Sequence, residues 1–174
     1  RPVGIAISTD GNVYVADAWN HRIQKFTSAG VFIAKWGSNG TGDGQFNQAG
    51  DQAGGLAVDP AGNVYVADTT NHRVQKFSST GTFIAKWGTQ GTGDGQFQQP
   101  VYVAVDGTVN VYVSDNNNRV QKFSSTGQFL GKWGTPAGSG DGQFTLPRGI
   151  AVDGQGNVYV VDSGNYRVQK FSQP

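Results

Sequence analysis

The sequence has no cysteine and no methionine, and all twelve of its acidic residues are aspartate. Without cysteine, disulfides and thiolate metal sites are excluded. Without glutamate and methionine, two good helix formers are missing. Charged residues make up only 14% of the chain, and the formal net charge is +1. That balance argues against a broad basic surface for phosphate backbones. No apolar run approaches the roughly 18 residues needed for a membrane-crossing helix, so no membrane insertion is expected. No signal peptide is visible. The first residue is Arg1 rather than methionine, so a processed or trimmed start is expected.

What is present favours strands and turns. There are 27 glycines, which supply the positive φ angles that tight turns require. Val, Tyr, Phe and Thr recur throughout and suit a pleated, packed surface. A chain of 174 residues is long enough for one domain with a substantial core.

The clearest feature is repetition. "NHRIQKF" at 20–26 returns as "NHRVQKF" at 71–77, "NNRVQKF" at 117–123 and "NYRVQKF" at 165–171. Their arginines are 51, 46 and 48 residues apart. "GDGQF" occurs at 42–46, 93–97 and 140–144, and "KWG" begins at Lys35, Lys86 and Lys132. A period of this size indicates a solenoid, a propeller or an array. The repeats run over about 1–52, 53–99, 100–146 and 147–174.

Strand patterns decide among these. The second unit reads as four β-runs: 55–59, 63–68, 73–78 and 82–88. The turns "DPAGN" and "SSTG" between them are too short for parallel crossovers, so an antiparallel meander is expected. Alternation puts Val64 and Val66 on one face, and Tyr65 and Ala67 on the other. In the last run it puts Phe83, Ala85 and Trp87 together, opposite Ile84. A sheet apolar on both faces needs a sheet on each side. Radial stacking of blades provides that, so the fold class is all-β, a β-propeller of four-stranded antiparallel blades.

The ordered set "GIAVD", "GNVYVAD", "NHRVQKF", "KWG" and "GDGQF" resembles the NHL repeat family of β-propellers, over the whole chain. The resemblance implies the fold and leaves the function open. The family includes protein-binding, RNA-binding and enzymatic members, and prokaryotic sensor or surface domains. Six blades are usual in it. Here three units are complete, and the fourth has no counterpart of the run 82–88. Its last strand, Arg167–Ser172, is therefore expected to be an open edge, covered in a longer propeller or by another copy.

The repeated residues have two readings each. Asp17 with Arg22, Asp68 with Arg73, Asp115 with Arg119, and Asp162 with Arg167 could form a ligand-gripping ring. A pair in every blade fits structural loop pairs better, because catalytic groups seldom repeat in each unit. The glycine-rich "GTGDGQF" has too few carboxylates for calcium. Asp43, Asp94 and Asp141 are expected to bond local amides, with Phe46, Phe97 and Phe144 plugged between blades. His21 and His72 share one slot and are too few for zinc. The amidating-lyase branch of this fold implies a histidine-rich zinc centre that this stretch does not supply by itself. No G-x-S-x-G elbow marks a nucleophile. No catalytic residue, metal or cofactor is therefore expected.

An RNA platform would use Arg22, Arg73, Arg119 and Arg167 with Trp19 and Tyr166 for stacking. Nucleic acid is disfavoured, because each arginine travels with an aspartate. Trp19 is the one tryptophan outside the "KWG" slot, and the linker Asn47–Gly54 is four residues longer than its counterpart. Both map to loops at one rim. The expectation is a non-enzymatic binding or structural interaction module, secreted or on a prokaryotic cell surface. Its protein, peptide or glycan partner would meet a rim formed by Trp19, Arg22, Arg73, Arg119, Tyr166 and Arg167. Two alternatives remain: a self-assembling ring or filament completed by strand pairing in trans, and a piece of a lyase- or hydrolase-like propeller enzyme.

Overall fold

The computed structural model describes residues 1–47, 54–134 and 136–172. It contains four antiparallel sheets in chain order. The first blade is β1 (Pro2–Ile7), β2 (Val13–Asp17), β3 (Arg22–Phe26) and β4 (Phe32–Trp36). The second is β5 (Leu56–Val58), β6 (Val64–Asp68), β7 (Arg73–Phe77) and β8 (Phe83–Trp87). The third is β9 (Pro100–Val105), β10 (Val111–Asp115), β11 (Arg119–Phe123) and β12 (Phe129–Trp133). The fourth has three described strands, β13 (Pro147–Val152), β14 (Val158–Asp162) and β15 (Arg167–Phe171). This is a propeller of four blades, each a consecutive meander. The first strands meet across blades in order, β1 with β5, β5 with β9 and β9 with β13.

The short turns explain the meander. In the second blade the Asp59 carboxylate accepts from the Asn63 backbone N–H and side-chain amide, both at 2.8 Å, and from the Tyr65 hydroxyl at 3.1 Å. Asp106 and Asp153 make the same contacts with Asn110 and Tyr112, and with Asn157 and Tyr159. Burial first, then the adjacent Asp59 charge, push the Tyr65 phenol pKa up.

Blades pack through their two apolar faces. Tyr14, Ala16 and Ile23 of the first blade meet Leu56, Val64, Val66 and Phe77 of the second. Tyr65, Ala67 and Val74 of the second meet Val103, Val111, Val113 and Phe123 of the third. Phe46, Phe97 and Phe144 are fully buried plugs in these seams, with Phe46 5.5 Å from Phe77 between ring centroids. Phe83 departs from the alternation read in the sequence. It packs toward the first blade, whereas Trp87 packs toward the third. The cause is a β-bulge: Lys76 pairs with Ala85 but Phe77 pairs with Phe83, so Ile84 is skipped and the facing reverses.

The arc has two apolar end faces. On the first blade Ile5 and Ile7 are 68% and 67% exposed, whereas Leu56, at the equivalent position of the second blade, is buried. On the fourth blade Val161 and Val168 are exposed. Among the described residues no strand pairs with the outer edge of β15.

Candidate functional site

All turns between the second and third strands of a blade lie at one rim, beside the linkers between blades. Three of the four begin with a single 3-10 turn: Ala18–Asn20, Thr69–Asn71 and Ser163–Asn165. The next residue is left-handed in every blade: His21, His72, Asn118 and Tyr166 have φ between 50° and 58°. Asn and His tolerate that region better than most residues. The slot also has a bonding role that the sequence did not disclose. His72 Nδ1 accepts the Gln99 backbone N–H at 3.1 Å, and Asn118 Oδ1 accepts that of Leu146 at 2.8 Å. His72 is thus a linker clamp.

The aspartate–arginine pairs form inside each blade. Arg22 Nε lies 2.8 Å from Asp17, Arg73 Nε 2.7 Å from Asp68, Arg119 Nε 3.2 Å from Asp115 and Arg167 Nε 2.8 Å from Asp162. The remaining guanidinium donors hold the linker arriving from the preceding blade. Arg73 donates to the carbonyls of Thr41, Gly42 and Gln45, and Arg119 to those of Thr92 and Gln96. Arg167 donates to Gly140 and Gln143. Gln75, Gln121 and Gln169 complete each cradle. Arg73 and Arg119 are therefore buried, and the expected rim loses them: their donors are spent on backbone carbonyls. Arg22 and Arg167 keep partial exposure.

Charge states follow from these bonds. Burial alone would raise the Asp162 pKa. Hydrogen bonds from the Thr145 amide, Asn165, Arg167 and Gln169 outweigh it and hold the carboxyl below its ordinary value. Asp17 is lowered in the same way, with Asn20 and Arg22 prevailing over burial. Asp115 goes the other way: its deeper burial outweighs Arg119, Asn117 and the Gln98 contact, and the pKa rises.

The loop aspartates differ from expectation. Local amides are bonded by Gln45, Gln96 and Gln143, whose Oε1 atoms accept from Gly42, Gly93 and Gly140. The aspartates reach the next blade instead: Asp43 to Lys86 at 2.5 Å, Asp94 to Lys132 at 2.6 Å and Asp141 to Arg167 at 3.8 Å. These aspartate side chains are half or more exposed, at 50%, 52% and 110%.

Two of the predicted rim residues stand free of the scaffold surface. Trp19 is 62% exposed and Tyr166 is 97% exposed. They lie on the first and fourth blades, so the structure does not bring them together. The linker 47–54, paired with Trp19 in the sequence reading, falls outside the described residues except at its two ends. Among the described residues no cluster of three or more His, Cys, Asp or Glu is arranged to hold a metal ion.

This architecture defines a repeat-built β-propeller. The NHL repeat profile matches residues 1–26, 51–77 and 144–171. Mouse peptidyl-glycine alpha-amidating monooxygenase is 35% identical over 115 residues, covering 60% of this chain and 11% of that protein. Human NHL repeat-containing protein 3 is 30% identical over 99 residues, 55% of this chain and 27% of that one. Among solved structures, virginiamycin B lyase from Staphylococcus aureus superposes with a TM-score of 0.65 at 16% identity, over 98% of this chain and 55% of the lyase. At that identity the likeness is one of fold. The chain spans a minor part of the two curated relatives and about half of the lyase. The NHL repeat matches at three places, together with an NHL repeat-containing relative, support an NHL repeat β-propeller.

Proposed function

We propose that this chain is a non-enzymatic interaction module that presents a loop rim to a protein, peptide or glycan partner, in a secreted or cell-surface setting. One observation carries the reading. The recurring polar residues are consumed by the scaffold, whereas Trp19 and Tyr166, which do not recur, project into solvent. Exposed aromatic side chains on rigidly held loops are the usual anchors of recognition. Arg22 and Arg167 add flanking positive charge.

The test is a screen of the purified chain against glycan and peptide arrays, repeated with Trp19→Ala and Tyr166→Ala. Hits that survive both substitutions unchanged would remove the rim from the reading. The lyase-like fold motivates a second reading, a piece of a propeller enzyme. Incubation with virginiamycin B, followed by mass spectrometry, addresses it. Turnover above that of buffer would replace the binding module with an enzyme.

A further inference from the structure

The linkers into the third and fourth blades end alike. Gln99 and Leu146 each precede a proline and each has a left-handed backbone, with φ of 54° and 53°. Residues with a Cβ seldom stay in that region unless their surroundings hold them there.

What holds them differs in one atom. The Gln99 N–H donates to His72 Nδ1 at 3.1 Å, and the Leu146 N–H donates to Asn118 Oδ1 at 2.8 Å. His72 and Asn118 fill the same position of the repeat. An amide oxygen accepts at any pH. An imidazole nitrogen accepts only while it carries no proton, and a histidine ordinarily gains that proton at about pH 6.5. Once protonated, His72 would aim Nδ1–H at the Gln99 N–H, donor against donor.

The surroundings leave the imidazole free to titrate. His72 is half-buried, so solvent protons reach it. The charged groups on the elements around it are already paired: Asp68 with Arg73, Lys86 with Asp43, and Asp115 with Arg119. The linker residues Gln98 and Gln99 and the strand β9 carry no charge. The other ties on this linker do not titrate. Asn116 donates to Gln99 Oε1 at 2.9 Å and to the Gln98 carbonyl at 2.8 Å, and Thr69 Oγ1 donates to the Pro100 carbonyl at 2.8 Å.

We infer that His72 is an acid-sensitive latch. Neutral, it holds the linker between the second and third blades in its left-handed turn. Protonated, it releases the Gln99 N–H, and that part of the rim loosens while Asn116 and Thr69 keep it attached. The linker between the third and fourth blades, latched by Asn118, stays closed at both pH values. His21 fills the same position in the first blade, and the residue equivalent to Gln99 there lies outside the described residues. The latch belongs to the scaffold, so it operates whether or not the rim binds a partner.

The test follows amide exchange and the His72 imidazole resonances of isotope-labelled chain between pH 7.5 and pH 5. Protection of the Gln99 amide, corrected for intrinsic exchange, should fall about fivefold to tenfold across the His72 titration, the scale of one lost hydrogen bond. Protection of Leu146 should not change. His72→Asn places the third blade's residue in the second blade, and should keep Gln99 protected at both pH values. Three results overturn the proposal: Gln99 and Leu146 responding alike, an unchanged pH response of Gln99 in His72→Asn, or an imidazole that stays neutral down to pH 5.

Discussion

Gly81 lies directly beneath the indole of Trp36: a Cβ built on it would sit 2.6 Å from the ring. The contact crosses from the first blade to the second, and Gly127 beneath Trp87 repeats it one blade on, at 2.7 Å. Gly81→Ala and Gly127→Ala should each cost about 1–3 kcal/mol from overpacking, beyond the positive-φ cost. Gly30→Ala shares the φ cost but meets no neighbour. Thermal melts of the three variants make the comparison, and equal losses would mean that the indole gives way freely.

The buried arginines lead to a second comparison. Arg119 is 1% exposed and joins Asp115, Thr92 and Gln96. Arg119→Ala leaves Asp115 buried without its counter-charge and should cost about 3–5 kcal/mol. Arg22 keeps 31% of its side chain exposed and bonds only Asp17 among the described residues. Arg22→Ala should cost about 0–1 kcal/mol. Urea unfolding of both variants decides whether the arginines hold blades together, and similar midpoints would count against that role.

Much of this was legible in the sequence for a simple reason. A blade is a short antiparallel meander, so its strands and turns are set by contacts local in the chain, and four copies let each pattern check the others. Phe46, Phe97 and Phe144 could be placed in the seams because an apolar residue in an otherwise polar loop has few other destinations. What stayed hidden involves bonds between units. Nothing in the string "NHR" says that the histidine accepts a linker N–H, or that Arg73 turns inward to meet carbonyls some thirty residues earlier. The bulge at Ile84 was hidden for a related reason. Alternation assumes one residue per pleat, and a skipped residue reverses it without any change in composition. Trp19 and Tyr166 were found as departures from the repeat, a signal independent of contacts.

Stability should fall in acid. Asp10, Asp17, Asp106, Asp153 and Asp162 all have pKa values below the ordinary one. A depressed carboxyl stabilises the fold above its unfolded pKa of about 3.9, and that contribution is lost as pH falls through the folded value. Asp115 has the opposite sign, since its raised pKa favours folding on protonation. Five groups against one predict a lower melting temperature at pH 3 than at pH 6. A flat profile between those values would show that the turn networks do not hold their charge.

Local stability should also vary along the arc. Every residue of β6 and β10 is buried, because each of these strands has a blade on both sides. In β15 no residue is fully buried, and the exposed Val168 faces solvent. In β1 every residue also keeps some exposure. Repeat proteins gain stability chiefly from contacts between neighbouring units, so the end blades, with one neighbour each, should open first. Hydrogen exchange read by mass spectrometry should show amides of β15 and β1 exchanging before those of β6, β7, β10 and β11. Uniform protection across all four blades would indicate global, all-or-none opening, and the end faces would then need a covering partner even in the isolated chain.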